Sequence, residues 1–335
     1  SALAWEGKIY AVTGTNGKTT LTSFLERALN LAGIRAIAAG NIGRPLSAFC
    51  AEIGDSSNAV AVCELSSFQT SRLKFLRPDA LLWTNFAPDH LDWHKDMREY
   101  FCAKFNLVNA LRGELLFISK DVAEAAEEYG MKMPAFAKIP ADMDPSDCPK
   151  PFDTSVQSRN FAMAAEFLKS LGLPSAAAEA ARGFALPKYR FGEPAEASGV
   201  KFYNDSKATN AHAAIAALRE LSGTESLVWL GGGKDKNCDL SELAGEIAKS
   251  AKGAVLIGQT AGKLAEILRA CGVEARVCGS MKEAVEMSAK MAGDGGSVLF
   301  SPGFSSFGMF SGYADRGKSF QNEVLCLKNL KEYKK

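Results

Sequence analysis

The chain has 335 residues, 47% hydrophobic and 23% charged, enough apolar side chains for two sizeable cores and too many for one small module. Thirty-nine basic against thirty-eight acidic side chains leave no global field, which excludes charge-driven capture of nucleic acid or an anionic membrane and makes any phosphate recognition local. No apolar run approaches the length of a membrane-spanning helix and residues 1–8 do not read as a signal peptide, so a cytoplasmic protein without a membrane partner is expected.

From the N-terminus, short apolar runs alternate with helix-length amphipathic segments, the pattern of a mostly parallel sheet covered by helices. A strand is predicted over 8–12. Directly after it stands Thr13-Gly14-Thr15-Asn16-Gly17-Lys18-Thr19-Thr20, and the spacing of Leu21, Phe24, Leu25, Ala28 and Leu29 predicts a helix over 18–32. Strand, glycine loop and helix thus come in the order that holds a triphosphate. The glycines let the backbone wrap phosphate oxygens, the helix start turns free N–H groups on them, Lys18 adds positive charge, and the Thr19 hydroxyl can ligate Mg²⁺. The spacing G-x-x-G-K-T is shorter than the general phosphate-loop pattern.

Further strands are predicted over 59–63, 80–83 and 114–118, with helices over 100–110 and 122–129. Glu64, in Glu64-Leu65-Ser66-Ser67-Phe68-Gln69, stands at a strand's C-terminal end, where ligands of open α/β sheets gather, and is a candidate Mg²⁺ ligand. After the 80–83 strand, Asn85 to His94 packs Asp89, His90, Asp92 and His94 into a few residues; no thiolate stands nearby, which argues against zinc. The proline-spaced stretch 134–151 reads as a long connection, and helices return over 158–171 and 175–182. A second alternating series follows, with strands over 201–203, 226–230, 254–257, 274–277 and 297–300, as in a separate, smaller α/β domain. The eight cysteines (Cys50, Cys63, Cys102, Cys148, Cys238, Cys271, Cys278, Cys326) are scattered without a C-x-x-C pair and read as reduced packing residues, and the C-terminal lysines as a solvated helix end.

With these blocks in order, the sequence resembles the Mur ligase superfamily, whose ATPase core carries a short G-T-x-G-K-T-T loop, a strand-end glutamate, an Asn…Asp-His segment and a lysine downstream. The resemblance implies an α/β fold: a P-loop-type central ATPase domain with a mostly parallel sheet over 1–187, plus a smaller Rossmann-like, amino-acid-binding α/β domain over 188–335. It also implies that Lys104, in Tyr100-Phe101-Cys102-Ala103-Lys104, is carbamoylated by CO₂ and supports a second Mg²⁺. A finer resemblance, to the branch that adds D-glutamate to UDP-N-acetylmuramoyl-L-alanine, runs through Glu64–Gln69, Asn204-Asp205-Ser206-Lys207-Ala208-Thr209-Asn210, Gly231-Gly232-Gly233-Lys234-Asp235-Lys236 and Leu299 to Phe307. Sister ligases carry a histidine-containing segment where this chain has Asp205 to Thr209.

The reaction so implied phosphorylates a carboxylate with ATP and lets an amine attack the acyl phosphate, which relies on positioning and charge stabilisation. Lys18, Thr19, Glu64, His90 and Lys104 would surround the phosphates and two Mg²⁺ ions, within a loop formed by Gly14, Thr15, Asn16, Gly17 and Thr20. Asn41 and Ser66 would face the muramoyl-alanine substrate; Asn160, Arg190 and Asp205 the nucleotide; Lys207, Thr209, Lys236 (or Lys234), Ser306, Phe307 and Tyr313 the D-glutamate, whose carboxylates suit lysine and hydroxyl donors. A monomer is expected.

The chain departs from the family in two places. Family members begin with a domain that binds uridine diphosphate, and only residues 1–7 precede the first strand here, so that anchor is expected to be missing and coupled ligation to be weak. At 158–163, relatives show His-Asn-x-x-Asn; Asn160 keeps one amide and Met163 cannot supply the other. A silent nucleotide-binding module and a sister ligase with another amino acid stay open as alternatives.

Overall fold

The computed structural model describes residues 4–235 and 239–332, which form two compact units, Ser1–Ala185 and Leu186–Lys335. In the first unit the elements run β1 (Lys8–Thr13), α1 (Lys18–Leu31), β2 (Ala36–Gly40), α2 (Leu46–Ile53), β3 (Val60–Glu64), α3 (Ser67–Thr70), β4 (Ala80–Trp83), α4 (Met97–Ala110), β5 (Leu115–Ile118), α5 (Lys120–Glu128), a 3₁₀ turn at Pro145–Asp147, α6 (Ser155–Ser170) and α7 (Ala176–Ala181). The strands pair in parallel in the order β2-β3-β1-β4-β5.

Both faces of this sheet are buried, as a parallel sheet requires. Tyr10, Val12, Val62, Leu82 and Phe117 pack under α1, α6 and α7 with Phe24, Phe161 and Phe167. Their strand neighbours Ile9, Ala11, Cys63, Leu81, Trp83 and Leu116 point to the opposite face and pack with Phe101, Phe105 and Val122 of α4 and α5. The strand β2 has no counterpart among the predicted elements. Its alanine-rich sequence has weak strand propensity, and pairing with β3 from Ala36↔Val60 to Gly40↔Glu64 imposes the extended form.

The second unit runs β6 (Ala195–Ala197), β7 (Val200–Asn204), α8 (Ala211–Glu220), β8 (Leu227–Gly231), α9 (Ser241–Ser250), β9 (Gly253–Leu256), α10 (Ala261–Ala270), β10 (Glu274–Val277), α11 (Met281–Ala292), β11 (Ser297–Phe300) and α12 (Tyr313–Glu332). Its sheet order is β10-β9-β8-β11-β7-β6, parallel except for β6. That strand forms a hairpin with β7 through Ser198 and Gly199, both at positive φ (58° and 76°), a two-residue turn of the kind that matches strand twist. Among the described residues no helix is long and apolar enough to cross a membrane.

In each sheet a central strand is flanked by two others, β1 by β3 and β4 and β11 by β8 and β7, and the connections part there: β1 runs on toward β2 and β4 toward β5, while β8 runs on toward β9 and β11 into α12, which packs on β6 and β7. The crevice beyond the C-terminal ends of such strands is where open α/β sheets bind ligands. Gly14, Glu64 and Thr84 follow or end the strands of the first trio; Asp205, Gly232 and Ser301 follow those of the second.

Candidate functional site

The loop after β1 is held in shape from the β4 side. Thr15 and Asn16 donate their backbone N–H groups to the Asn85 carbonyl (3.1 Å) and side-chain oxygen (2.8 Å). Thr84 Oγ1 and Asn85 Nδ2 in turn donate to the Asn16 carbonyl at 2.6 and 3.1 Å. Gly14 adopts φ 144°, and a Cβ there would lie 1.9 Å from Thr84 Oγ1, so only glycine lets the loop pass. Gly17, at φ 83°, is the N-cap of α1, and its Cβ position is blocked by the Asn160 amide oxygen at 2.6 Å. Thr19 is half-buried in the first turn of α1, and Thr20 is buried beneath it.

Two lysines converge on this loop. Lys18 Nζ donates to the carbonyls of Gly14 and Thr15, each at 2.8 Å, and Lys104 Nζ donates to the same Gly14 oxygen at 2.8 Å. Lys104 comes from α4, whose N-cap Asp96 accepts from Glu99 N at 2.8 Å. One turn before it on the same face, Tyr100 shares a 3.2 Å hydrogen bond with the Thr15 hydroxyl, and its ring lies 4.7 Å under Lys104 Nζ. Lys104 is 1% exposed. Burial, then the neighbouring Lys18 charge, hold its amine well below the ordinary lysine range, against an opposing pull from Asp89 and Glu64.

Glu64 is 2% exposed. Its Oε1 accepts from Asn41 Nδ2 at 3.0 Å, while its buried Oε2 has no hydrogen-bond partner among the described residues. An unpartnered buried carboxylate oxygen is the group that a bound cation satisfies. Asn41 is further fixed through its N–H to the Glu64 carbonyl at 2.9 Å. His90 takes a left-handed φ of 57°; its N–H meets Asp89 Oδ1 at 2.8 Å, its Nε2 lies 3.7 Å from Asp89 Oδ2, and its ring is 4.8 Å from that of Phe68. Ser66 donates from both N and Oγ to Gln69 Oε1 at 2.9 Å, which closes the turn entering α3. Among the described residues no three His, Cys, Asp or Glu side chains gather as a complete metal cage. Mg²⁺ is held differently, by one or two carboxylates with substrate phosphates and water, and a lone strand-end Glu64 with the Thr19 hydroxyl fits that habit.

In the second unit, Asp205 N–H donates to the Phe300 carbonyl at 2.7 Å, and its Oδ2 accepts from Ser301 Oγ at 2.8 Å. Burial pushes the Asp205 carboxyl up to about 7, opposed by the Ser301 hydrogen bond and by the charges of Arg190 and Arg316. Lys207 Nζ sits 4.2 Å over the Tyr313 ring. Ser306 is buried, Phe307 is exposed and Thr209 half-buried. Backbone bonds from Gly232 N to the Pro302 carbonyl and from Lys234 N to the Ser305 carbonyl, both 2.9 Å, tie the triple-glycine loop to the 301–307 segment. Beneath them Trp229 donates its indole N–H to the Ser301 carbonyl at 3.0 Å, and a Cβ at Gly231 would stand 2.1 Å from that ring. Lys236 lies outside the described residues.

Within the first unit, then, the residues read from the sequence gather on one loop: Gly14 to Lys18, Lys104, Glu64 with Asn41, and Asn160. Within the second, Asp205, Lys207, Ser306 and Tyr313 occupy adjoining segments around the ends of β7 and β11. Sequence reading missed three contributors. Thr84 carries no signal beyond preceding Asn85. Gln157, 8% exposed, accepts from Asn160 Nδ2 at 3.0 Å, and its only trace in the sequence is a carboxamide three residues before Asn160 on a helix. Arg316, an ordinary arginine in a helical stretch, is 1% exposed and has no sequence signal at all.

The chain matches the family profiles described as Mur ligase middle domain over residues 12–138 and Mur ligase, glutamate ligase domain, over residues 190–304. It is 35% identical over 375 residues to the UDP-N-acetylmuramoylalanine--D-glutamate ligase of Thermobifida fusca, spanning 97% of this chain and 78% of that protein. Among solved structures it resembles MurF from Acinetobacter baumannii (TM-score 0.73, 16% identity, 96% of this chain and 77% of that one). It also resembles MurF ligase from Thermotoga maritima in complex with ADP (TM-score 0.69, 14% identity, 98% and 81%). At these identities the structural likenesses bear on the fold alone.

Proposed function

The chain belongs to the Mur ligase family, and from that premise we propose that it joins D-glutamate to UDP-N-acetylmuramoyl-L-alanine. The γ-phosphoryl group of ATP passes to the substrate carboxylate, ADP leaves, the D-glutamate amine attacks the acyl carbon, and phosphate departs as the amide forms. The observation that carries the ATP-dependent half is the meeting of Lys18, Lys104 and the half-satisfied Glu64 at one glycine loop. Phosphoryl transfer asks for fixed positive charge and fixed position: Lys18 offers the charge, and Glu64 and Lys104 would offer fixed places for the metal ions.

Thr19, Glu64, His90 and Lys104 are the residues that would hold the two Mg²⁺ ions, which when bound neutralise phosphate charge. Lys104 would do so as a carbamate: a buried amine drawn toward its neutral form adds CO₂ at nitrogen and releases a proton. Asn41 and Ser66 orient the muramoyl-alanine carboxylate. In the second unit Arg190 and Asp205 address the nucleotide, while Lys207, Thr209, Lys236, Ser306, Phe307 and Tyr313 receive D-glutamate. Support for D-glutamate comes from the Asp205 to Thr209 segment, which sets Lys207 against the Tyr313 ring, and from the buried Ser306 in the segment after β11, a cation and a hydroxyl for a substrate with two carboxylates.

The test is ADP release in the presence of Mg²⁺, UDP-N-acetylmuramoyl-L-alanine and one amino acid at a time. D-glutamate is expected to be preferred over L-alanine, L-lysine and diaminopimelate. Preference for another amino acid overturns the D-glutamate reading, and saturable ATP binding without ADP release under any combination indicates a silent nucleotide-binding module. A bicarbonate-dependent mass increase of one CO₂, lost in Lys104→Arg, tests the carbamate.

A further inference from the structure

We propose that Arg316 is the positioning residue of the amino-acid half of the site, its guanidinium setting the spacing between Lys207, Ser306 and Tyr313. The ligand named here rests on the D-glutamate reading above; the geometry does not.

Arg316 lies in the first turn of α12, and every guanidinium nitrogen has an acceptor inside the unit. Nε donates to Ser206 Oγ at 3.1 Å, Nη2 to the Ser206 carbonyl at 2.8 Å, and Nη1 to the Phe304 carbonyl at 2.9 Å. Ser206 Oγ passes the connection on by donating to the Tyr313 carbonyl at 2.9 Å. One planar group therefore fixes three segments at once: the residue before Lys207, the strand-end segment two residues before Ser306, and the helix start that carries Tyr313. The result is visible at Lys207, whose Nζ rests 4.2 Å over the Tyr313 ring.

The next residue completes the clasp. A Cβ on Gly317 would stand 2.6 Å from the Tyr189 ring and 3.1 Å from Ser206 Cβ, and the Gly317 carbonyl accepts from Asn204 Nδ2 at 2.9 Å. Glycine inside a helix costs stability, and here it admits the 204–206 segment against α12. The Tyr189 carbonyl in turn accepts from Lys207 N at 3.0 Å.

A buried arginine is a poor stabiliser for its own sake, because its desolvation offsets much of what its contacts return. None of its hydrogen bonds goes to a carboxylate; the acceptors are two carbonyls and a hydroxyl. What such a residue provides is the rigid fork of guanidinium donors, which an ammonium of the same charge cannot reproduce. Lysine at 316 therefore separates charge from geometry.

The experiment compares wild type, Arg316→Lys and Arg316→Ala in two measurements. In hydrogen exchange, both variants should lose amide protection at 206–209 and at 304–307 together, while β8 and β9 stay protected. Loss spread evenly over the unit, or confined to one of the two segments, overturns the proposal. In steady-state kinetics, Arg316→Lys should raise the KM for D-glutamate about tenfold with kcat and the KM for MgATP changed less than about threefold, and millimolar methylguanidine should partly restore Arg316→Ala. A lower melting temperature with unchanged KM values and no restoration leaves Arg316 a structural residue only. If wild type releases no ADP in response to D-glutamate, the ligand reading fails, and the exchange pattern alone decides the positioning role. If Arg316→Ala does not fold, Arg316→Lys carries both measurements.

Discussion

The loop after β1 and the segments around β7 and β11 are built on the same plan, a crevice at the carboxyl ends of parallel strands, yet they use buried positive charge in opposite ways. In the first unit Lys18 turns its charge onto the Gly14 and Thr15 carbonyls of the very loop that would cradle phosphate, and the buried Lys104 amine, held toward its neutral form, reaches the same Gly14 oxygen. In the second, Arg316 is turned inward onto Ser206 and Phe304, and Lys207 lies over the Tyr313 ring, from where it would meet a ligand on the reading proposed above. The difference teaches that a buried cation near a candidate site is a chemical participant or a clamp according to what its donors touch.

The largest test of that contrast is Lys18→Ala. It should lower ADP formation about 10³-fold, the scale of losing a principal electrostatic contact to the transferred group, with hydrogen exchange of the second unit unaltered. Glu64→Gln comes next. If Oε2 awaits a cation, the amide should reduce turnover about 10²-fold and raise the Mg²⁺ concentration needed for half-maximal rate, whereas a purely structural Glu64 would leave the Mg²⁺ dependence unmoved.

The third test uses acidity. Because burial raises the folded-state pKa of Asp205 to about 7, its contribution to stability is fully present below the unfolded value of 3.8 and is lost as pH rises through about 7. Unfolding free energies of wild type and Asp205→Asn, measured across this window, should diverge in favour of wild type toward acid, by at most about 1.4 kcal/mol per pH unit. A constant difference would mean that Arg190 and Arg316 keep the carboxylate ionised. The smallest effect is that of Lys207→Ala, for which the KM for D-glutamate should rise about tenfold with the affinity for ATP unchanged. Equal losses for both ligands would erase the division of labour between the regions.

How much of this could be read in advance depended on how unusual the residues were. The glycine loop, the strand-end Glu64 and the Asp89-His90 block stand out because they break the apolar periodicity around them, and the strands at 80–83, 274–277 and 297–300 agree with β4, β10 and β11. The alanine-rich β2 and the three-residue β6 were invisible because their form comes from the neighbouring strand. Lys104 reads in isolation as an exposed helical lysine; only packing of α4 on the loop turns it inward. Gln157 and Arg316 were missed for a related reason: each stands outside the motifs and bonds to a residue within them, Asn160 one helical turn on for Gln157, Ser206 and Phe304 for Arg316.

Trp229 links one glycine to a titrating acid. The indole holds Ser301 through its carbonyl, the Ser301 hydroxyl holds Asp205, and the ring occupies the space a side chain at 231 would take. A methyl group placed at that position would have to evict the tryptophan and, in doing so, loosen a carboxylate it never touches. The emission of Trp229 accordingly offers a built-in optical gauge of whether the acid's setting is intact.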